Sequence, residues 1–348
     1  MTAEPRTGAR GGRITAPRTT RIDAFLLAAP TSGGTTADAV RRAVEYGVAA
    51  EAAGFDGAWF AEHHFVTYGC CPSAPALAAH LLGRTERITV GTAACVLSAR
   101  HPVALAEEAV LLDAVSGGRF ALGVARGGPW VDLEVFGTGL DRYRTGFAES
   151  LDLMTGWLSG VDSLGAAGRH FAFRPVSVVP QPEHPVPVYV AATSPSTVEC
   201  AAARGLPLLL GMHATDAEKR ALLDRYAAVA ERHGYDPDVD HAAAFLAYQA
   251  DTRAEAHRRL RAAMPARLAA TTGYVRIDGS APPITDHAAY LARLLATQPV
   301  GTAADVTERL AESVAATGIR RALLMVEGAG DPAATRETIA ALGATLSR

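Results

Sequence analysis

The chain has 348 residues, with 33 basic side chains against 36 acidic ones and a formal net charge of −3. Forty-nine per cent of residues are apolar and 20% are charged, the balance of a globular protein with a large core rather than of a disordered or fibrous chain. No apolar run approaches the roughly 18 residues of a membrane helix, no GxxxxGK[ST] phosphate loop occurs, and no basic block interleaves with aromatics, so membrane, P-loop and nucleic-acid functions are set aside.

In chain order, residues 1–20 are rich in Arg, Thr, Gly, Ala and Pro but lack the apolar stretch of a secretory signal, and read as a disordered tail on a cytoplasmic protein. From residue 21 to 348 short apolar runs alternate with segments of helical period. Strands are expected near residues 22–27, 57–61, 88–92, 120–124, 186–190, 206–210, 243–247 and 322–326. Helices are expected over 38–53, 74–83, 102–115, 143–158, 196–204, 216–233, 253–268 and 303–317. Thr36 and Gly54 bracket the first helix, Pro102 opens the third, and Gly318 closes the last. Eight strand-then-helix units imply one α/β domain, a (β/α)8 TIM barrel. Two connections, 160–185 and 273–299, exceed ordinary loops and are assigned to the ligand-binding rim.

Cys70, Cys71, Cys95 and Cys200 lack CxxC spacing, so reduced thiols are expected, with neither a disulfide framework nor a structural zinc site. Lys219 is the sole lysine and lies among Asp216, Glu218 and Arg220. It reads as part of a solvated helix face, which argues against Schiff-base and pyridoxal-phosphate chemistry.

Barrel active sites lie where the strands end. That rule nominates Glu62, His63 and His64 after the second strand, Ala93, Ala94 and Cys95 after the third, and Arg126 with Gly127 and Gly128 after the fourth. After the fifth come Thr193, Ser194 and Thr197, and after the sixth Gly211, Met212 and His213. Neighbouring histidines on an extended segment face opposite ways, so His63 and His64 are not expected to hold one metal, and one of them faces the mouth. An imidazole there can act as a general base or stabilise a developing anion. Arg126 between small residues suits an anion, or a salt bridge to Asp132 or Glu134. Ser194 and Thr197 suit a phosphate at a helix N-terminus, or simple capping.

Gly54-Phe55-Asp56, Glu62-His63-His64-Phe65, His101-Pro102-Val103, Gly118-Arg119-Phe120, Arg126-Gly127, Val135-Phe136-Gly137-Thr138, Pro299-Val300-Gly301-Thr302 and Ala316-Thr317-Gly318-Ile319 occur in this order. With them the chain resembles the bacterial luciferase family of flavin-dependent monooxygenases, and most of all its α subunits. The resemblance runs over nearly everything after residue 21. It implies a barrel that takes reduced FMN from a separate flavin reductase, activates O2 as a C4a-(hydro)peroxyflavin, needs no metal, and oxygenates a small organic substrate by hydroxylation or Baeyer–Villiger-type insertion.

Carried over by position, the resemblance makes His63 the catalytic histidine. It makes Ala93–Ala94 a non-proline cis peptide bracing the flavin ring, and Arg126, Ser194 and Thr197 its phosphate ligands. Glu62 and Asp132 match carboxylates of the flavin site. Phe65, Trp130, Leu210 and Met212 are candidates for an apolar lining. Two departures stand out: Ala125 occupies the position of a reactive cysteine, and the lid between the last two strands is short. The near-absence of lysine fits a GC-rich bacterial genome, and a role in tailoring a metabolite. An F420-dependent oxidoreductase on the same fold and a non-catalytic flavin-binding subunit are the competing readings. A homodimer through the segments 74–82 and 102–115 is expected.

Overall fold

The structure, a computed structural model, describes residues 20–128, 130–271 and 286–346; of the expected N-terminal tail all but Thr20 lies outside them. The chain begins with β1 (Arg21–Leu26), α1 (Thr36–Ala52), β2 (Gly57–Phe60), α2 (Ala74–Leu82), β3 (Thr89–Thr92), a two-residue β4 (Cys95–Val96), α3 (Pro102–Ser116) and β5 (Phe120–Ala125). Then come α4 (Trp130–Val135), α5 (Gly139–Thr145), α6 (Phe147–Leu158), the hairpin β6 (Ser163–Ala167) and β7 (Ala172–Ser177), β8 (Val188–Ala192), α7 (Pro195–Ala202) and β9 (Leu208–Leu210). The last part carries α8 (Asp216–Arg232), β10 (Ala242–Leu246), β11 (Tyr248–Gln249), α9 (Arg253–Ala270), α10 (His287–Thr297), β12 (Val300–Gly301), α11 (Ala303–Thr317), β13 (Arg321–Met325) and α12 (Pro332–Leu346).

Parallel pairing runs β3-β2-β1-β13-β10-β9-β8-β5 and closes through β3 with β5. This is the eight-stranded barrel, and each expected strand is in it. Side chains alternate between two cores because strand residues alternate in direction. Ala24, Leu26, Ala58, Phe60, Leu122 and Val124 pack outward under the helices, whereas Phe25, Trp59, Ala121, Tyr189 and Leu323 fill the barrel. No helix among the described residues is long and apolar enough to cross a membrane.

Several expectations are corrected. The helix expected over 143–158 breaks at Gly146, which caps α5 and opens α6. The segment 160–185 is not part of the cavity rim. It forms the β6–β7 hairpin, whose turn is held to α6 where the His170 and Phe171 backbone N–H groups donate to the Glu149 carboxylate. Lys219 is not solvated: it is fully buried on α8 with its ammonium 4.1 Å from the centre of the Phe245 ring. Burial pulls its pKa down to about 8. The physical reason is position, since Lys219 shares the inward stripe of Leu223, Tyr226 and Ala230. Part of the 273–299 segment lies outside the described residues; its remainder includes α10.

The barrel interior holds one buried ion pair. Asp23 on β1 accepts from the Trp59 indole N–H at 2.7 Å and from Arg321 on β13. The guanidinium lies 5.3 Å from the Trp59 ring centre. Space for that ring is made by Gly91, where a Cβ would stand 2.3 Å from it. Asp23→Leu leaves Arg321 without its counterion and the indole N–H without an acceptor; we expect a loss of about 3–5 kcal/mol in denaturant unfolding. A loss under about 1 kcal/mol would contradict this account of the barrel interior.

Candidate active site

A cavity of about 400 Å³ opens at the C-terminal ends of the strands. Glu62, His63 and Asp132 border it, as do Ala93, Ala94 and Arg126, and Thr193, Ser194, Thr197, Gly211 and Met212. These nominated residues thus share one chamber, whereas Cys95 and Gly128 do not border it.

Glu62 leaves the end of β2 buried. Its Oε1 accepts the Val96 N–H at 3.0 Å, and its Oε2 accepts the Ala74 N–H at 3.1 Å and Arg100 at 3.3 Å. Burial raises its pKa, but His64, Arg100 and the two backbone N–H groups outweigh burial and hold the carboxyl below its ordinary range. His63 donates its backbone N–H to Cys71 O at 2.8 Å. Its imidazole is pushed down to about 4 by burial and then by His64, against Glu62, so it is neutral at neutral pH.

Gly69 is required beside His63: a Cβ there would meet Nδ1 at 2.6 Å and Leu27 O at 2.9 Å. Both histidines border the cavity, and their rings pack on different partners, His63 on Tyr68. His64 stacks edge-on against Phe136 with ring centres 4.9 Å apart. No group of three or more His, Cys, Asp or Glu among the described residues could hold a metal.

The peptide between Ala93 and Ala94 is cis. It follows Thr92, whose hydroxyl donates to Gly123 O at 2.8 Å and accepts the Gly123 N–H at 2.9 Å. A side chain at 123 is excluded, since its Cβ would stand 2.0 Å from Thr92 O. Arg126 forms no ion pair with Asp132 or Glu134. Its guanidinium lies 5.2 Å from the Phe147 ring centre and reaches Thr197 Oγ1 at 3.4 Å, while Nε is buried without a partner.

Ser194 caps α7, its Oγ accepting the Thr197 N–H at 3.4 Å and lying 3.1 Å from Thr197 Oγ1. The capping role and a ligand-facing position therefore coincide. Gly127, at φ +91°, allows the backbone to approach Val96 and Ser98.

Asp132 on α4 is 2% exposed with Oδ1 unpartnered. Burial, aided by Glu62 and opposed by His64, pushes its carboxyl up to about 6. Leu210 and Met212 line the cavity as expected, and the Met212 carbonyl accepts from Gln298 at 3.3 Å. Phe65 does not line it: at φ +56° its ring is turned out and is 57% exposed. The side chain of Trp130 lies outside the described residues. Phe25, Tyr68 and Tyr143 also border the chamber. Phe25 could have been found from the sequence, as it precedes the end of β1. Tyr68 sits in a connection with no periodicity to flag it, and Tyr143 lies on the short α5, away from any strand end.

A closed parallel barrel with a rim chamber and a non-proline cis peptide is the architecture of a barrel oxidoreductase. The family described as luciferase-like monooxygenase matches residues 20–321, and the chain belongs to it. It is 40% identical over 213 residues to the alkanal monooxygenase alpha chain of the Kryptophanaron alfredi symbiont, covering 60% of this chain and 59% of that one. The chain thus spans about 60% of the length of the curated relatives it resembles here.

Among solved structures, a monooxygenase from Streptomyces bottropensis superposes with a TM-score of 0.82 at 22% identity, over 94% of this chain and 98% of that one. The oxygenating constituent of 3,6-diketocamphane monooxygenase of Pseudomonas putida, in complex with FMN, gives 0.75 at 19% identity, over 94% and 98%. Both show the shared fold.

Asp132 makes the site's titration measurable. A carboxyl raised from 3.8 to about 6 stabilises the fold fully below its unfolded pKa and loses that contribution as pH rises through 6. Asp132→Asn should therefore unfold like wild type below pH 4, and gain roughly 1–3 kcal/mol over it at pH 8. A pH-independent gap in thermal unfolding between the two would refute the burial argument.

Proposed function

We propose that the protein is an FMNH2-dependent monooxygenase that oxygenates a small organic substrate, working in the cytoplasm beside a separate flavin reductase. The observation that carries this reading is the Arg126 guanidinium, buried at Nε without a partner and set against the hydroxyls that open α7. A buried cation without a counterion is costly, and a phosphate monoester there supplies the missing acceptor. Ala93, Ala94 and Met212 would then hold the flavin ring, and His63 and Asp132 would be the chamber's proton-exchanging groups beside it. The chamber, at about 400 Å³, is within the usual range for a cofactor site.

When bound, reduced FMN supplies the electrons that activate O2. The chain's own residues do the rest. Neutral His63 can accept a proton or donate one at its ring nitrogen, and Asp132 can hold or release one near pH 6. Small residues at 93 and 94 admit the ring face, and the apolar walls of Phe25, Leu209 and Ala244 exclude water.

Two measurements test the reading. Arg126→Ala should weaken FMN binding about 10- to 100-fold, as loss of a charged hydrogen bond would. In stopped flow, protein loaded with reduced FMN and mixed with O2 should pass through a transient absorbing species that His63→Ala shortens. Reoxidation at the rate of free FMNH2 would reject the reading and turn the test to reduced F420. Flavin bound with no turnover on any substrate would favour a non-catalytic subunit.

We also propose a homodimer through α2 and α3. Leu111 and Val115, one turn apart on α3, are 54% and 71% exposed, which a partner helix would cover. Light scattering should give a dimer, and Leu111→Glu with Val115→Glu a monomer; a monomeric wild type overturns the proposal.

A further inference from the structure

A second cavity, of about 420 Å³, lies against the first. Ala192, Thr193, Leu210, Gly211 and His213 border both. The partition is thin at Gly211, where an added Cβ would meet nothing nearer than Thr193 Cγ2 at 3.9 Å. Thr193 immediately precedes Ser194, which caps α7 beside Thr197 and Arg126. A ligand whose phosphate is bound there has the second cavity next to that phosphate, and a chain attached beyond the phosphate has that space to enter.

The charge of the second cavity selects what enters. Beyond the shared wall it is lined by Ala214 and by the start of α8, through Glu218, Ala221 and Leu222. Glu218 is the only ionised side chain among these lining residues. Thr215 donates its backbone N–H and its hydroxyl to Glu218 Oε2, at 2.7 and 2.9 Å, and these bonds hold the carboxyl below its ordinary range. Oε1 takes no hydrogen bond among the described residues. Arg293 on α10 adds to the same effect but does not border the cavity. Burial, and then Arg293, keep the His213 ring below its ordinary value and so neutral at neutral pH. No cation in the described lining therefore offsets Glu218.

We propose that Glu218 is a specificity-determining residue of the cofactor site, one that disfavours a flavin or deazaflavin whose phosphate continues into an acidic tail and tolerates one that ends at the phosphate monoester. The inference rests on the flavin-monooxygenase reading for the occupant of the first chamber. It adds a reason for such a site to take FMN rather than F420, a deazaflavin whose phosphodiester leads into a chain of glutamates. Because Glu218 stands at an exposed helix turn, water and salt screen the repulsion, and its size is modest.

The test titrates flavin-free protein at low salt with oxidised FMN, oxidised F420 and the tail-free deazaflavin core of F420, in wild type, Glu218→Gln and Glu218→Arg. Glutamine keeps the hydrogen bonds to Thr215 and loses only the charge. The affinity for F420 relative to FMN, and relative to the tail-free core, should rise about 2- to 5-fold in Glu218→Gln and about 10-fold in Glu218→Arg. Both gains should shrink in about 0.5 M salt. Unchanged ratios in both variants overturn the proposal. A gain for F420 that the tail-free core matches overturns it too, by assigning the effect to the ring rather than the tail. A wild type that binds F420 and not FMN counts against the monooxygenase reading alone, because F420 against its tail-free core still decides whether Glu218 opposes the tail.

Discussion

The rim of this barrel is held by one ionised carboxylate. Glu62 accepts the N–H groups of Ala74, at the start of α2, and Val96, just past the cis Ala93–Ala94 bend, and pairs with Arg100. The two connections that follow β2 and β3 converge on its two oxygen atoms. Remove the carboxylate and two buried backbone donors lose their acceptor, each at a cost of about 1–3 kcal/mol, while Arg100 keeps Glu108 and Ser73. With both oxygens committed, Glu62 has little capacity to carry protons. Its chemistry is positioning: it sets the bend that shapes the chamber floor and sits 3.5 Å from His64.

Around that brace, burial sorts the chamber's ionisable groups into three kinds. His63 is held neutral by burial and by its neighbour His64. Asp132, equally cut off from water but unbraced, titrates near 6. Arg126 is cationic at any pH and stands at the far side with the start of α7. A ligand with a charged phosphate at one end and a ring at the other matches this gradient, since the permanent charge meets its counterion away from the groups that exchange protons.

What the sequence revealed and what it hid follow from the same physics. The eight barrel strands were legible because parallel strands buried on both faces are continuous apolar runs, as in Leu208–Leu210 and Arg321–Met325. The rim residues were legible because strand ends are where ligands bind. Lys219 was misread through its neighbours' charge, although its spacing to Leu223 and Tyr226 put it on the inward stripe. Phe65 was misplaced because apolar character alone does not say which way a residue with positive φ turns its side chain. The β6–β7 hairpin was hidden by its exposure: its strands bury almost nothing, so no alternation marks them. Nor did any pattern announce Tyr68, which reaches the chamber through a ring contact with a residue five positions earlier.

Ala125 sharpens the view of how such a chamber is kept dry. With alanine before Arg126, no thiol faces the ligand, and Cys71 and Cys95 are buried away from it. Burial holds the Cys95 thiol protonated well above its ordinary range, so it offers no nucleophile. Exclusion of water from the chamber must then come from packing: the apolar strand residues below and the loops above. Those loops are tied to the C-terminal part of the chain, through Gln298 on the Met212 carbonyl and Tyr290 on His213. Since α10 carries Tyr290 and precedes Gln298, that helix secures the wall of the chamber that faces Met212.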